Sequence, residues 1–399
     1  MVSLEHKQET ASIRLRASCE SRIVAGHLWI YEGDIDSIAG EPKPGDVVDV
    51  VMHGGRRCGL GLYSPQSKIR VRLLTTGDES IDASFWDQRI GEAVARRNSV
   101  ISGTTAYRLV HSEGDGLPGL IVDRYGPVLV MQSLTVGMDR WHDELAEALL
   151  RHTDAESIYL RNDAPARVHE GLPQERGFLR GKGPLRVEIM EGPARFLVDI
   201  ERGQKTGWFC DQRDNRLAVA SLAKDRDVLD AFCHTGAFGT QAALGGARSV
   251  SGLDVSRSAV EMARMHADLN GVAQICEYRQ ADAQESLKRL GRSRRRFDLA
   301  ILDPPAFAKS RSVRGRAVEG YRHINMMALN LIRSGGLLVT CSCSHHVGED
   351  DLSAAVEAAA RQTRRRIEIV ERRAAGPDHP VRSSIPETQY LKCLIVKVK

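Results

Sequence analysis

The sequence predicts an α/β protein, in which a Rossmann-like C-terminal domain follows a small β-barrel-like unit and a central α+β unit. Beyond a polar segment at 203–216, strand patterns alternate with helix patterns to the end of the chain, as in a parallel sheet covered by helices. Residues 13–76 hold short strands separated by glycine and proline turns. Residues 228–254 read as strand, glycine turn, helix and a second strand ending in aspartate, the order of a nucleotide-binding βαβ unit.

The composition is that of a globular protein with room for about two or three domains. The chain has 399 residues, of which 42% are hydrophobic and 27% charged. A net charge of +4 excludes a molecule that is strongly basic overall. Lysine and arginine nevertheless cluster at 292–296, 311–316 and 364–373. These clusters are either solvated faces or a rim that faces RNA phosphates.

The cysteines and the N-terminus indicate a reduced, cytoplasmic location. The 8 cysteines are scattered without the spacing of a disulfide framework. The first residues lack the apolar core of a signal peptide, and no apolar run approaches the length of a membrane span. We therefore expect no membrane partner.

The first predicted unit spans residues 1–77 and is rich in strands. Strands are expected at 47–52, 58–63 and 69–74, with turns at 42–46 and 54–55. The aromatic residues of 27–31 lie near arginines in the sequence, a combination that suits the stacking of RNA bases. Trp29 is equally suited to a hydrophobic core, and the pattern favours that interpretation.

The second predicted unit spans residues 78–185 and mixes helices with strands. Helices are expected at 85–98 and 139–152, a hairpin from strands at 120–123 and 128–133, and a further strand at 157–161. The third unit, residues 186–399, begins with an antiparallel pair of strands at 187–190 and 195–200.

The remainder of the third unit predicts the large sheet. Its strands are expected at 228–232, 249–253, 276–280 and 297–302, then from 337 and at 366–371 and 390–398. Helices are expected at 237–244, from a capping box at 258–261 to Asn270, and at 319–332 before Gly335-Gly336.

The glycine turn at 233–236 favours a nucleoside cofactor without phosphates. It contains one glycine and lacks the G-x-G-x-x-G pattern that receives a pyrophosphate. Gly236 would let the backbone approach the ligand closely. S-adenosylmethionine is the common cofactor of this kind, although any α/β domain contains such a unit for purely structural reasons.

Asp254, Asp282 and Asp303 each follow a successive predicted strand. Ligands of open α/β sheets bind along the carboxyl edge where such residues meet. Asp254 would accept hydrogen bonds from ribose hydroxyls, and Asp282 would accept one from the adenine amino group. Asp282 also suits the N-cap of a helix. Asp303 would lie at the reacting end.

The segment Asp303-Pro-Pro-Ala-Phe forms a rigid stop after its strand, because proline fixes φ. Such a turn holds Asp303 and the carbonyl of Pro304 against a planar ring. Enzymes that methylate exocyclic amines place an aromatic residue directly after the prolines. Here Ala306 intervenes before Phe307, which weakens that reading.

Residues 340–346, Thr-Cys-Ser-Cys-Ser-His-His, allow four interpretations. A zinc site needs four ligands, and no second cysteine pair has ligand spacing. A disulfide across two residues this close is strained. Buried structural thiols are a third reading. The fourth is a nucleophilic thiolate: cytosine carbon 5 becomes nucleophilic when a thiolate adds to carbon 6.

Taken together, four segments resemble the bacterial ribosomal RNA large subunit methyltransferase I family. They are Gly203-Gln-Lys-Thr-Gly-Trp-Phe-Cys-Asp-Gln-Arg, Asp230-Ala-Phe-Cys-His-Thr-Gly, Asp303-Pro-Pro-Ala-Phe and Ser-Cys343-Ser. Trp208 departs mildly from the Tyr or Phe usual there. The resemblance covers nearly the whole chain and implies a PUA domain at about 12–77, a central α+β domain and a class I methyltransferase domain. It also implies methylation of cytosine carbon 5 in 23S ribosomal RNA.

The resemblance implies a site without metal that binds S-adenosylmethionine under the segment 203–213. The expected catalytic residues are Cys343, Asp303 and Pro304. The expected cofactor-binding residues are Gln204, Lys205, Thr206, Asp230, Phe232, Thr235, Gly236, Asp254, Asp282 and Asp303. The expected partner is 23S ribosomal RNA or a large-subunit assembly intermediate, and a homodimer is a further candidate.

Two other functions stay open on the sequence alone. A related family shares the Gln-Lys-Thr-Gly and Asp-Pro-Pro segments, methylates guanine N7 and lacks the cysteine, so Cys343 discriminates between the two. A non-catalytic RNA-binding assembly protein is the second alternative. Cys341 and Cys343 share one strand face, but Cys343 lies nearer the carboxyl edge. We therefore expect Cys343 to be the nucleophile, with Lys309 or His345 as the cation beside it.

Overall fold

The structure, a computed structural model, describes residues 10–308 and 311–399. The elements of the N-terminal part are β1 Ser12–Leu15, α1 Ala17–Val24, β2 Trp29–Tyr31, β3 Ile35–Ala39, β4 Val47–Val51, β5 Arg57–Tyr63 and β6 Ile69–Thr75. The strands form a six-stranded sheet of order β2-β6-β5-β4-β1-β3 around its own apolar core. Trp29 packs half-buried against this core, and its Nε1 donates to Glu113 Oε1 at 2.9 Å in the next part of the chain.

The elements of the central part are α2 Ala83–Val100, β7 Ala106–His111, β8 Leu120–Tyr125, β9 Val128–Ser133, α3 Val136–Arg140, α4 His142–His152, β10 Ser157–Asn162 and β11 Glu175–Arg180. The strands form a five-stranded sheet of order β11-β10-β9-β8-β7. Asp82 caps α2 by accepting from the amides of Ser84 and Phe85. The predicted hairpin is present as β8 and β9. The single helix predicted at 139–152 is wrong, because the chain breaks at Trp141 into α3 and α4.

The antiparallel pair predicted after residue 186 is confirmed as β12 Arg186–Glu191 and β13 Ala194–Asp199. It forms a separate two-stranded sheet beside the large one. Its inward-facing Ile189, Phe196 and Val198 share one buried cluster with Tyr125 and Trp208. This cluster joins the central part to the C-terminal part.

The elements of the C-terminal part are α5 Arg213–Leu222, β14 Asp227–Ala231, α6 Ala237–Leu244, β15 Ser249–Asp254, α7 Arg257–Leu269, β16 Cys276–Gln280, α8 Ala283–Gly291, β17 Phe297–Leu302, α9 Arg314–Leu329, β18 Ile332–Ser342, α10 Glu349–Gln362, β19 Ile367–Arg373 and β20 Lys392–Val398. The strands form a seven-stranded sheet of order β16-β15-β14-β17-β18-β20-β19. The strands β14 to β18 run parallel, whereas β20 runs antiparallel to β18 and β19. The strand order reverses at β14, so a ligand crevice is expected at the carboxyl ends of β14, β15 and β17.

Two local predictions in this sheet are wrong. Helix α9 ends at Leu329, and Gly335-Gly336 lie inside β18 because Ile332 already pairs with Phe297 of β17. Helix α7 is capped by Ser256 instead of Ser258. The side chain of Ser256 accepts from the Ala259 amide at 3.3 Å, and its own amide is held by Asp254.

A crossover segment, residues 374–391, connects β19 to β20 and touches all three parts. Asp378 accepts two hydrogen bonds from the Arg213 guanidinium of α5 and one from the Arg108 amide of β7. Ser384 Oγ donates to the Gly26 carbonyl at 2.9 Å, and Ile385 is fully buried in the N-terminal core. The fold class predicted from the sequence is confirmed, while the domain boundaries near 77 and 185 stay predictions. None of the described helices is long and apolar enough to cross a membrane.

Candidate functional site

The turn after β14 packs unusually tightly against the sheet. Phe232, His234 and Gly236 all have left-handed backbones, with φ of 66°, 48° and 72°. A Cβ on Gly236 would lie 2.7 Å from Ala263 Cβ and 2.8 Å from Tyr278 Cζ. The glycine is therefore required by packing against α7 and β16, and the expected reason, close approach of a ligand, is not needed to explain it. Phe232 packs partly buried on the main core.

Asp230 leaves one buried acceptor unused beneath this turn. Its Oδ2 accepts from the Gly239 amide at 2.9 Å, while its Oδ1 has no hydrogen-bond partner among the described residues. Burial raises the pKa of the Asp230 carboxyl to about 7. A buried orphaned oxygen of this kind fits a donor group supplied by a ligand.

Asp254 presents a rigidly held carboxylate at the end of β15. Its Oδ2 accepts from the His234 amide at 2.8 Å and its Oδ1 from the Ser256 amide at 2.9 Å. The next residue, Val255, is 70% exposed and offers an apolar surface beside the carboxylate. Sequence reasoning missed Val255, although an apolar residue directly after a ribose-binding position is a readable signal. The arrangement of Asp230, Asp254 and Val255 fits a nucleoside cofactor such as S-adenosylmethionine.

The other expected residues near this edge have structural partners. Asp282 Oδ1 accepts from the Glu285 amide at 2.8 Å, so the helix-capping role considered for it is present. The Thr235 carbonyl accepts a hydrogen bond from His266 Nδ1 at 2.8 Å. Both residues remain at least partly exposed at the carboxyl edge.

The segment 203–213 follows β13 and contacts both the central sheet and the site. Thr206 is buried, and its hydroxyl donates to Asp123 Oδ2 at 2.6 Å and lies 2.9 Å from the Tyr125 hydroxyl. This side chain therefore anchors the segment to the central part. Gln204 and Lys205 are exposed, and the Lys205 ammonium lies 4.8 Å from the centre of the Phe209 ring.

The far end of the same segment contacts the Asp-Pro-Pro turn. Gln212 Nε2 donates to Asp303 Oδ2 at 3.0 Å, and Gln212 Oε1 accepts from Asn215 Nδ2 at 2.7 Å. Burial, followed by the nearby charge of Asp211, raises the pKa of Asp303 to about 7. Pro304 is buried beside it. An aspartic acid that is half protonated near neutral pH can donate a proton to a base.

The two cysteines of the 340–346 segment occupy different environments. Cys341 is fully buried in β18 and lies opposite Cys393 of β20. Cys343 follows the end of β18 and is partly exposed. Burial and the charge of Asp303 raise the pKa of Cys343, whereas the Lys205 cation lowers it. The structure thus separates two thiols that periodicity could not.

Neither cation expected beside Cys343 can be assigned that role from the structure. Burial lowers the pKa of His345, whose ring lies 5.3 Å from Tyr390, so this imidazole is neutral near pH 7. Lys309 lies outside the described residues. Among the described residues, no group of three or more His, Cys, Asp or Glu side chains could hold a metal ion.

Asp211 and Tyr390 were missed by sequence reasoning. The Tyr390 hydroxyl donates to Asp211 Oδ2 at 2.6 Å, and Asp211 Oδ1 is buried with no partner in the described part of the chain. The sequence could have indicated Asp211, because it lies in the polar segment 203–213. No sequence pattern indicates Tyr390, because it reaches the site only through the path of the crossover segment.

Two family models match the chain. Residues 13–76 match a PUA-like domain, and residues 173–396 match an S-adenosylmethionine-dependent methyltransferase. The second match spans more than half of the sequence. It establishes S-adenosylmethionine as the cofactor.

Curated relatives match over nearly full length. The ribosomal RNA large subunit methyltransferase I of Shewanella denitrificans is 40% identical over 392 residues, covering 97% of this chain and 99% of the relative. The protein of the same name from Pseudoalteromonas atlantica is 40% identical over 393 residues, covering 98% and 100%.

Solved structures share the fold. A protein of Streptococcus mutans assigned to the S-adenosylmethionine-dependent methyltransferases superposes with a TM-score of 0.82 at 20% identity, covering 97% of this chain and 99% of that one. A methyltransferase-class structure complexed with SAH gives a TM-score of 0.84 at 20% identity, with the same coverage. At this identity the likeness concerns the fold. The full-length relatives and the methyltransferase model together show that the chain belongs to the ribosomal RNA large subunit methyltransferase I family.

Proposed function

We propose that this chain methylates carbon 5 of a cytosine in 23S ribosomal RNA through a covalent adduct between Cys343 and carbon 6. The observation that carries the proposal is the contrast between two thiols: Cys343 is partly exposed at the carboxyl edge near Asp303, whereas Cys341 is sealed in the sheet. The names of the curated relatives support the RNA substrate. The PUA-like domain supports an RNA partner, either 23S ribosomal RNA or an assembly intermediate.

The reaction begins with the Cys343 thiolate. Its Sγ forms a bond to carbon 6 of a cytosine that has left its base stack, since both ring faces are covered inside a helix. The ring electrons move toward N3, which takes a proton from the Asp303 carboxylic acid. Because the pKa of Asp303 is about 7, a large share of the molecules carry that proton at neutral pH. The product of this step is an enamine with a nucleophilic carbon 5.

S-adenosylmethionine, when bound, supplies the methyl group that carbon 5 accepts. Loss of the carbon 5 proton to a base and breakage of the Sγ–carbon 6 bond then restore the aromatic ring and the thiolate. Asp303 takes back the N3 proton. The Pro304 ring system keeps Asp303 at a fixed position during both transfers.

The cofactor is held along the ends of β14 and β15. We assign Asp254 to the ribose hydroxyls, Val255 to the face of the adenine ring and Asp282 to the adenine amino group. One side of the cofactor site is the end of β14 and the turn that follows it, with Asp230, Phe232, Thr235 and Gly236. Gln204 covers the cofactor from the opposite side, on the 203–213 segment that Thr206 anchors to the central part.

The test is RNA that contains 5-fluorocytosine at the modified position. Fluorine cannot leave as a proton does, so the enzyme stays bound to the ring after methyl transfer. Wild type and the control variant Cys341→Ser should accumulate a complex that survives denaturing electrophoresis, and Cys343→Ser should not. A complex in Cys343→Ser that disappears in Cys341→Ser would exchange the roles. Cofactor binding without any complex in wild type would favour a different target atom or a non-catalytic RNA-binding protein.

A further inference from the structure

The side chain of Lys205 is held in a specific place next to the site. Its ammonium lies 4.8 Å from the centre of the Phe209 ring and 6.0 Å from that of Tyr390. Its backbone has φ of 55°, a conformation that lysine rarely adopts and that concentrates at functional sites. The next residue, Thr206, is buried on Asp123, whereas Lys205 itself is exposed.

The Tyr390 ring connects Lys205 to the segment that carries Cys343. Lys392 Nζ donates to the carbonyls of both Ser344 and Tyr390 at 2.8 Å, which fixes Tyr390 beside the residue that follows Cys343. The same ring packs 5.3 Å from His345. The Lys205 ammonium and His345, two residues after Cys343, thus approach the same ring, and the charge of Lys205 lowers the pKa of Cys343.

Two of the other charged groups around Cys343 disfavour a thiolate: Asp303 from the turn after β17 and Asp211 from the 203–213 segment. Lys392 of β20 is a second cation that interacts electrostatically with Cys343, but its ammonium is buried and bonded to two carbonyls, and burial lowers its pKa. His345 is neutral for the reason given above. Within residues 10–308 and 311–399, the Lys205 ammonium makes ring contacts but no hydrogen bond or ion pair.

We propose that Lys205 is the positioning residue that stabilises the thiolate of Cys343 for its attack on the ring. This inference rests on the proposed function, because it gives a role to the nucleophile named there. The thiol proton leaves to solvent water, and the ammonium keeps its own protons. The role differs from the cofactor contact that the sequence led us to expect for Lys205.

The test measures alkylation of Cys343 by iodoacetamide as a function of pH, with the modified peptide quantified by mass spectrometry. Lys205→Met should move the midpoint of the profile upward by about one pH unit, and slow alkylation about tenfold at pH 7, because the thiolate is the reactive form. Lys205→Arg should restore the wild-type midpoint. Arg202→Met is the matched control, since Arg202 is an exposed cation of the same loop paired with Glu201.

Trapping with 5-fluorocytosine RNA separates this inference from the proposed function. Lys205→Met should form the complex slowly at pH 7 and approach the wild-type rate as the pH is raised. An unchanged alkylation midpoint in Lys205→Met overturns the inference. If calorimetry also finds weaker cofactor binding in that variant, Lys205 is a cofactor ligand instead. If wild type forms no complex at any pH, the proposed function fails, whatever the midpoint.

Discussion

The backbone amide of Ala308 donates a hydrogen bond to the hydroxyl oxygen of Ser344 across 3.3 Å. This contact joins the turn after β17 to the turn after β18. Asp303 lies in the first turn and Cys343 in the second, so one serine hydroxyl helps to set the distance between the proposed acid and the proposed nucleophile. The Tyr321 hydroxyl lies 3.1 Å from the same oxygen and supports it from α9.

We expect Ser344→Ala to lower kcat by about three- to tenfold and to leave cofactor affinity unchanged. The lost hydrogen bond is worth about 0.5–1.5 kcal/mol, and its effect is confined to the spacing of the two turns. Steady-state kinetics on ribosomal RNA and calorimetry with S-adenosylmethionine measure the two quantities. Tyr321→Phe, which keeps the Ala308–Ser344 contact, should have the smaller effect. If Ser344→Ala weakens cofactor binding as much as it lowers kcat, the effect is not confined to the spacing of the two turns.

Asp254→Ala should weaken binding of S-adenosylmethionine at least tenfold in calorimetry. The substitution removes charge-assisted hydrogen bonds to the ribose, each worth roughly 1.5–3 kcal/mol. It also frees the amides of His234 and Ser256, so thermal unfolding must show that the variant remains folded. A folded variant with wild-type affinity would remove Asp254 from the cofactor site.

Ionisation of Asp303 should lower the free energy of unfolding of wild type as the pH rises, and the Asp303→Asn variant should lack this contribution. The pKa of Asp303 rises from 3.8 to about 7 on folding, so between these values the unfolded chain is ionised while the folded chain keeps the proton. The free energy of unfolding of the variant, minus that of wild type, should therefore grow from about pH 4 to 7. The slope is at most about 1.4 kcal/mol per pH unit, and the difference is constant above pH 7.

Urea unfolding at pH 5, 6, 7 and 8 measures this difference. Asp36→Asn, which alters an exposed carboxylate of β3, is the control and should give a flat difference. Parallel pH profiles for wild type and Asp303→Asn would show that Asp303 titrates as an ordinary carboxyl.

Glu191→Gln should destabilise the fold by about 3–5 kcal/mol in urea unfolding, because it leaves the Arg216 guanidinium buried without its counter-charge. Glu191 is fully buried at the end of β12, where it accepts from Arg216 Nε at 2.6 Å and from Gln241 and Trp208. Glu188→Gln on the same strand breaks an exposed pair with Arg195 and should cost less than about 1 kcal/mol. Similar costs for both variants would contradict this reading.

Gly236→Ala should lower the thermal midpoint and abolish cofactor binding. The new methyl group would overlap Ala263 and Tyr278, and the residue would keep a left-handed backbone. Gly315→Ala is the matched control, since an added Cβ there meets nothing within 4 Å and α9 gains a better helix former. Its midpoint should stay the same or rise. A folded Gly236→Ala variant with normal cofactor affinity would show that the turn can shift to accommodate the methyl group.

The elements predicted best are those whose signal is local. Helix α6 and strands β16 and β17 have the bounds read from the sequence. Strand β17 is a largely apolar, buried run, as parallel strands tend to be, and α6 lies between Gly236 and Gly245. Strand β16 was found although only Tyr278 in it is buried. Helix α1 was missed, since it is short and only Cys19 and Ile23 of its eight residues are buried. The start of β18 was missed because two glycines within a strand read as a stop.

The same distinction applies to the site. Asp254, Asp303 and Cys343 could be placed at one edge, since the carboxyl ends of parallel strands meet there. The hydrogen bond from Tyr390 to Asp211 joins residues 179 positions apart and depends on the path of the crossover. The role of Thr206 depends on Asp123 in another part of the chain. No local pattern records such contacts.

The burial of Ile385 in the N-terminal core has a consequence for the synthesis of the protein. A ribosome translating this chain makes Ile13, Leu15 and their strand neighbours first, but it adds Ile385 only after strand β19 has been made. Until then the first sheet emerges with a gap in its interior. The PUA-like part of the molecule therefore reaches its final packing only after six of the seven described strands of the methyltransferase sheet have been translated.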